Sequence, residues 1–471
     1  MVIGVDIGTT STKVAAFDAD GTMHEVRRAE YPLHEPRPGW AEQDADQVAG
    51  AVVGVLREAL DATPGAAGVS FSTGMHSLVG LDGDGRPATG LVTWADTRAT
   101  AYAEDLRDHH PELHDRTGTP LHPMAPLPKL RWFSERGMTD VARWCGIKDL
   151  VLERLTGAFV MDHSTASGTG LMDLHRLDWD PQALELGGVR ADQLPQLVPV
   201  KHVLDWDVPV VAGAGDGPLA NLGVGAVRPG VAAISIGTSG ALRVMVEDPA
   251  VDERRRVFCY ALTPGRWVIG GAINNGGSTL QWVHEALAPD LSVADALAAA
   301  AEVPAGSEGL VMLPYLYSER APVWSAIPRG AYVGLQHHHG RGHLVRAAVE
   351  GVCQQLALVL ASVRGSGYEV REVRATGGFA RSALWKQVLA DVLGMPVGFP
   401  EGHEGSAFGA ALVGMEALGV IESIDRAADL VRIHEVVEPD PAAAAVYEGL
   451  RPTFEDLSQQ LRPAFLALRD V

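Results

Sequence analysis

The sequence predicts an α/β protein of two domains built on one plan. A strand–turn–strand unit at the N-terminus, Val2 to Phe17, is answered half a chain later by Ala232 to Val244: Ile-Gly-Thr-Thr-Ser in the first is matched by Ile-Gly-Thr-Ser-Gly in the second. Elsewhere, short apolar runs closed by glycine turns stand between stretches whose apolar residues recur at helical spacing. The 471 residues are too many for one ordinary core, and Pro229-Gly230 punctuates the chain just before the repeat returns, which divides it into 1–229 and 230–471.

In order along the chain, Ile3, Val5 and Ile7 alternate as a strand, Val14 to Phe17 continue as a second, and Asp20-Gly21 makes a turn. Residues 45–60 read as an amphipathic helix. Val69 to Ser72 and Leu78 to Leu81 are short strands, and Val208 to Gly213 is another, with Pro209 near its start because proline has no N–H for the ladder. After the repeat come a long helix at Arg341–Arg364, a strand at Arg371–Ala375, and helices at Ser382–Leu393 and Ala407–Leu418. The tail, Pro441 to Leu468, reads as helix on the surface of the second domain.

Lys and Arg number 38 against 59 Asp and Glu, a net charge of −21 that argues against nucleic acid or an anionic membrane as partner. No unbroken apolar run reaches the ~18 residues of a membrane span. Cys145, Cys259 and Cys353 are far apart and form neither a disulfide framework nor a zinc motif. A cytoplasmic protein is expected, its assembly left open between a single chain and a homodimer.

Turns of Gly, Thr and Ser let backbone N–H groups converge on an anion, most often phosphate. Two such turns in like domains can grip the phosphate tail of a nucleotide between them. Asp6 stands at a strand end just before the first turn, where a carboxylate can hold Mg²⁺ beside phosphates or cap the turn. Asp216 is flanked by Gly215 and Gly217, which leave room for a substrate; it is either an acid–base group or a helix N-cap.

These residues resemble the FGGY carbohydrate kinases of the actin-like ATPase superfamily. The matching motifs are Asp6-Ile-Gly-Thr-Thr-Ser-Thr-Lys13, Gly213-Ala-Gly-Asp-Gly217, Ile236-Gly-Thr-Ser-Gly240, Ala375-Thr-Gly-Gly378 with Arg381-Ser-x-x-Trp385, and His343-Leu-x-Arg-Ala-x-x-Glu-Gly351. The resemblance implies two ribonuclease-H-like domains with the active site in the cleft between them, ATP and Mg²⁺ as cofactors, and Asp216 as the catalytic base. It implies Thr9, Thr10, Ser11, Lys13, Gly237 and Thr238 at the phosphates. Gly277, Gln281, Gly377, Gly378 and Ser382 follow around the rest of the nucleotide, with Asp6 at the metal.

The stretches Ser72–Asp82, Thr93–Arg98 and Thr117–Trp132 are similar to the gluconate-kinase branch of that family, which implies phosphorylation of D-gluconate at O6. Such an acceptor needs a cation for its carboxylate, and Arg98 offers a matching planar fork. Met75, His76, Asp96, His122 and Lys129 complete the expected acceptor site with Asp216. A salt bridge between Arg98 and Asp96 is the plainer alternative. Xylulose kinases share part of the pattern, and a sugar or nucleotide sensor without catalysis is the rival of another class.

Overall fold

The computed structural model describes residues 1–138, 141–401 and 405–468. The first sheet starts with β1 (Val2–Ile7), β2 (Ser11–Phe17) and β3 (Met23–Glu30), an antiparallel run. Helix α1 (Ala45–Ala62) follows; the Asp44 side chain caps it by accepting from Gln47 N. Strand β4 (Val69–Thr73) pairs parallel with β1. Helix α2 (Pro126–Glu135) precedes β5 (Val203–Leu204) and β6 (Val210–Gly215), and β6 pairs parallel with β4. The six strands lie in the order β5-β6-β4-β1-β2-β3, and α3 (Asp216–Gly223) leaves the end of β6.

The second sheet repeats this pairing. Strands β7 (Val231–Ile236) and β8 (Gly240–Val246) form the second hairpin, joined by β9 (Phe258–Thr263) and β10 (Arg266–Ile273). Helices α4 (Gly277–Leu287), α5 (Val293–Ala301) and α6 (Arg341–Gly365) lead to β11 (Glu372–Thr376), which is parallel to β7 as β4 is to β1. Then come α7 (Ala383–Leu393), β12 (Val397–Pro400), α8 (Gly405–Ala417), β13 (Ile433–Val437) and α9 (Pro441–Gln460). The order is β9-β10-β8-β7-β11-β12-β13, one strand more than the first sheet.

Strand β1 is apolar on both faces because both are covered. Ile3, Val5 and Ile7 share a core with Val48, Val52 and Leu56 of α1. Val2 on the other face, with Ala15 and Phe17 of β2, shares one with Ala407, Phe408 and Ala411 of α8. A methyl on Gly4 would lie 2.0 Å from Ala407 O, so glycine there permits the helix to sit down on the strand. Helix α8 thus comes from the second half of the sequence and packs on the sheet of the first.

Among the described residues, α6 alone is long and apolar enough to cross a membrane, and 89% of its apolar window is buried inside the protein, as befits a core helix. All three cysteines are free and buried.

Candidate functional site

The chain's conspicuous turns all hang from the carboxyl ends of parallel strands, where open α/β sheets bind ligands. Strand β1 ends in Gly8-Thr9-Thr10, β4 in Gly74-Met75-His76, β6 in Asp216, β7 in Gly237-Thr238-Ser239 and β11 in Gly377-Gly378.

The first turn is braced from three sides. Gly8 N donates to Ser11 O at 3.0 Å, Tyr31 Oη donates to Gly8 O at 2.7 Å, and Gln43 Nε2 donates to Thr9 O at 2.8 Å. Asp6 Oδ1 accepts from Ser72 Oγ at 2.7 Å, and in the β1–β2 register Asp6 stands opposite Lys13. The second turn is tied to the start of α4: Gly277 N donates to Gly237 O at 2.7 Å, and Ser278 N and Oγ donate to Thr238 O at 3.1 and 2.9 Å. The two exposed residues of that turn, Gly237 and Thr238, keep their outer edge towards solvent.

Two cavities flank the second turn. The larger, about 820 Å³, is lined by Gly237, Thr238, Gly277, Gln281, Gly378 and Ser382 together with apolar residues of α5 and α7. Its size and apolar walls suit a nucleoside. Ser382 also caps α7, its Oγ accepting from Trp385 N at 3.2 Å. Gly377 lies just below, with φ 118° and no room for a side chain, because a Cβ would fall 2.2 Å from Ile236 O. Thr10 borders a separate cleft beside Arg28 and Tyr31.

The smaller cavity, about 190 Å³, lies where the two domains meet. Met75, His76, Trp94 and Asp216 come from the first domain; Arg243, Tyr260 and Arg320 come from the second. Gly215 is the N-cap of α3, so Asp216 is the first helical residue and not the cap. Burial raises the Asp216 pKa above the ordinary carboxylate value; the Arg243 and Arg320 charges and the N–H groups of Gly217 and Met75 act against that rise. His76 is in the left-handed region (φ 70°) and its Nδ1 donates to Gly168 O at 2.7 Å, which leaves Nε2 as an acceptor. Burial pushes its pKa down to about 3, so the ring is neutral.

Four residues expected at the acceptor stand elsewhere. Arg98 does not border this cavity: Nε donates to Asp96 Oδ1 at 2.9 Å, Nη2 reaches Asp96 Oδ2 at 2.7 Å and Glu42 Oε1 at 2.6 Å, and the guanidinium stacks 3.8 Å from the Trp40 ring centroid. Asp96 is spent on Arg98 and on Ala41 N. Here the plainer salt bridge is the arrangement found. Lys129, fully buried on α2, gives its three N–H bonds to the carbonyls of His76, Thr93 and Met124 at 3.1, 2.7 and 2.7 Å. Burial pushes its pKa down to about 7, while three carbonyl acceptors call for all three protons of an ammonium. It fixes the cavity wall from behind. His122 accepts from Met124 N at 3.2 Å and packs its ring 5.7 Å from that of Trp324.

Arg243, Arg320 and Tyr260 are cavity residues the sequence reading passed over. Arg243 carried a signal, since strand period places it on the same face as Ala241, just after the second turn. Arg320 reaches the cavity through contacts between distant segments and carried none.

Residues 1–223 match the N-terminal domain of the FGGY family of carbohydrate kinases, and residues 232–418 match the C-terminal domain of the same family. The chain belongs to the FGGY family of carbohydrate kinases. It is an enzyme, a phosphotransferase with the two-domain α/β fold of FGGY sugar kinases. A gluconokinase of Bacillus subtilis (strain 168) is 38% identical over 100% of this chain and 98% of its own length. Among solved structures, a gluconate kinase from Lactobacillus acidophilus covers 99% of both chains with a TM-score of 0.95 at 32% identity. A ligand-bound xylulose kinase from the same organism gives the same TM-score, 0.95, and identity, 32%, over 99% of both chains.

Proposed function

We propose that this FGGY kinase transfers the γ-phosphoryl group of ATP to O6 of D-gluconate. The observation that carries the reading is the position of the second turn: Gly237 and Thr238 border the nucleoside-sized cavity, while Ser235, Ser239 and Gly240 border the one that holds Asp216. A phosphate chain crossing this turn brings its end to the acceptor.

Asp216 accepts the O6 proton as the new O6–P bond forms and the bond from phosphorus to the β-phosphate oxygen breaks. ADP leaves, and the proton passes to solvent. A base in this role contributes roughly 10²–10⁴ in rate. Backbone N–H groups of the two turns, with Thr9, Thr10, Ser11, Lys13 and Thr238, meet the phosphate oxygens. Mg²⁺ fits beside the first turn: this hard cation takes one or two carboxylates and completes its shell with phosphate and water, and Asp6 is the half-buried carboxylate at that strand end. When bound it neutralises charge on the phosphates. Closure of the domains excludes water as a competing acceptor.

The full-length likeness to the B. subtilis gluconokinase supports gluconate as the acceptor. Xylulose is the second reading, favoured by the equal likeness to the L. acidophilus xylulose kinase. ADP release measured with gluconate, xylulose, ribulose and glycerol tests the choice. The highest kcat/KM is expected for gluconate, with product phosphorus coupled to C6 in NMR; a preference for a neutral ketose overturns it.

A further inference from the structure

Two cations of the acceptor cavity feel nearby carboxylates, Asp216 on both and Glu319 on Arg320, without a direct pair. Arg243 and Arg320 both border it, and among the described residues neither guanidinium forms an ion pair. Both Nε–H groups are buried without an acceptor, and so is the Tyr260 hydroxyl between the same walls. An orphaned buried donor is costly, and three facing one cavity suit an acceptor-rich ligand.

The surroundings hold both side chains in place. Arg243 Nε lies 3.2 Å from where a Cβ on Gly217 would stand, so glycine after Asp216 makes room for the guanidinium. The Arg320 Cζ is 4.9 Å from the Trp94 ring centroid, and its Nη2 donates to Ile273 O at 3.2 Å. The neighbouring Glu319 is occupied by Asn274 N at 2.6 Å, Asn275 Nδ2 at 2.7 Å and Arg320 N at 2.8 Å. The lining itself holds two guanidiniums, one carboxylate (Asp216) and a neutral His76, with the Glu319 carboxylate behind Arg320 acting on its charge. A neutral sugar offers the two buried Nε–H groups no anionic acceptor; a sugar acid offers both of them one.

We propose that Arg243 and Arg320 together bind the carboxylate of the acceptor and select a sugar acid over a neutral sugar of equal length; this rests on the gluconate reading above. Each guanidinium offers a side-on fork of Nε–H and Nη–H to a carboxylate, and Tyr260 takes a neighbouring hydroxyl. The open-chain acid lies across the cavity with its far hydroxyl at Asp216.

The test uses the full chain with Arg243→Gln and Arg320→Gln, each shown to be folded by circular dichroism and by an ATP-induced rise in Tm equal to wild type. D-Gluconate and its neutral counterpart D-glucitol are compared as acceptors or as competitive inhibitors. Each variant is expected to lose gluconate kcat/KM by about 30-fold or more, through KM, as for truncating one partner of a buried charge pair. Measured on the alkaline plateau where Asp216 is ionised, glucitol should lose at least about tenfold less than gluconate does, and Arg→Lys should recover only part of the loss because the fork is gone. An unchanged gluconate-to-glucitol ratio in either variant overturns the shared role. An equal fall in kcat for both acceptors also overturns it, since the guanidiniums then serve the phosphoryl group. A wild-type enzyme that prefers xylulose sinks the acceptor reading itself, whatever the variants do.

Discussion

Trp94 Nε1 donates to Thr9 Oγ1 at 2.9 Å, so one side chain touches both the acceptor cavity and the first Gly-Thr turn. Trp94→Phe keeps most of the ring and removes the donor. A hydrogen bond of this kind is worth about 0.5–1.5 kcal/mol, so the KM for ATP should rise about two- to tenfold with the fold intact. Steady-state kinetics with ATP varied, beside a thermal melt, checks this; an unchanged KM means the turn is held without Trp94.

Asp216→Asn should leave ATP and gluconate binding within about threefold while lowering kcat by roughly 10²–10⁴. Calorimetry and stopped-time ADP assays separate the two effects. In wild type the base must be ionised, and burial raises its pKa. Activity should therefore fall as pH falls, with the midpoint above the ordinary Asp value of 3.8, and level off on the alkaline side of it. His76, held near 3, is neutral throughout that range, so His76→Gln should not move the midpoint.

Arg98→Met should damage stability and spare specificity. Its side chain is 2% exposed and that of Asp96 0%, so removing the cation strands a buried carboxylate. Breaking such a pair costs about 3–5 kcal/mol. A Tm lowered by several degrees is expected, with the gluconate-to-glucitol ratio as in wild type. A collapse of that ratio would return Arg98 to the acceptor.

Gly377→Ala should strike the nucleotide side alone. The added methyl meets Ile236 O at 2.2 Å and the φ of 118° is one that alanine avoids. Strand β7 and the turn it carries must shift, so the KM for ATP should rise by an order of magnitude or more while gluconate affinity, measured without nucleotide, holds. Equal weakening of both ligands would mean that β7 sets the two cavities jointly.

Much of the scaffold could be read from residues alone because its signals are local. Glycine turns at strand ends and the helical spacing of α1, α6 and α7 are each set by residues close together in the chain. The two Gly-Thr turns and the loop with Asp216 stand at strand ends, as the sequence predicts, for the same reason. What escaped was decided by pairing across the chain. Asp96-Thr-Arg98 looks the same in sequence whether it faces a ligand or itself; only Glu42 and Trp40, brought up from elsewhere, turn it inward. Arg320 reaches the cavity because its own segment, far along the chain from β10, packs on the end of that strand and against Trp94 of the first domain. Helix α8 did carry a clue in its unbroken run from Ala407 to Met415, buried all round and without a polar stripe, the mark of a helix enclosed on every side.

That helix has a bearing on how the protein is made. The ribosome has released β6 and α3 long before it reaches Gly405, and until α8 arrives the face bearing Val2, Ala15 and Phe17 lies bare to water. The amino-terminal lobe must wait, unfinished and sticky, while the other lobe is translated. A prematurely terminated message therefore leaves no working half, only a nascent polypeptide for chaperones and proteases to clear.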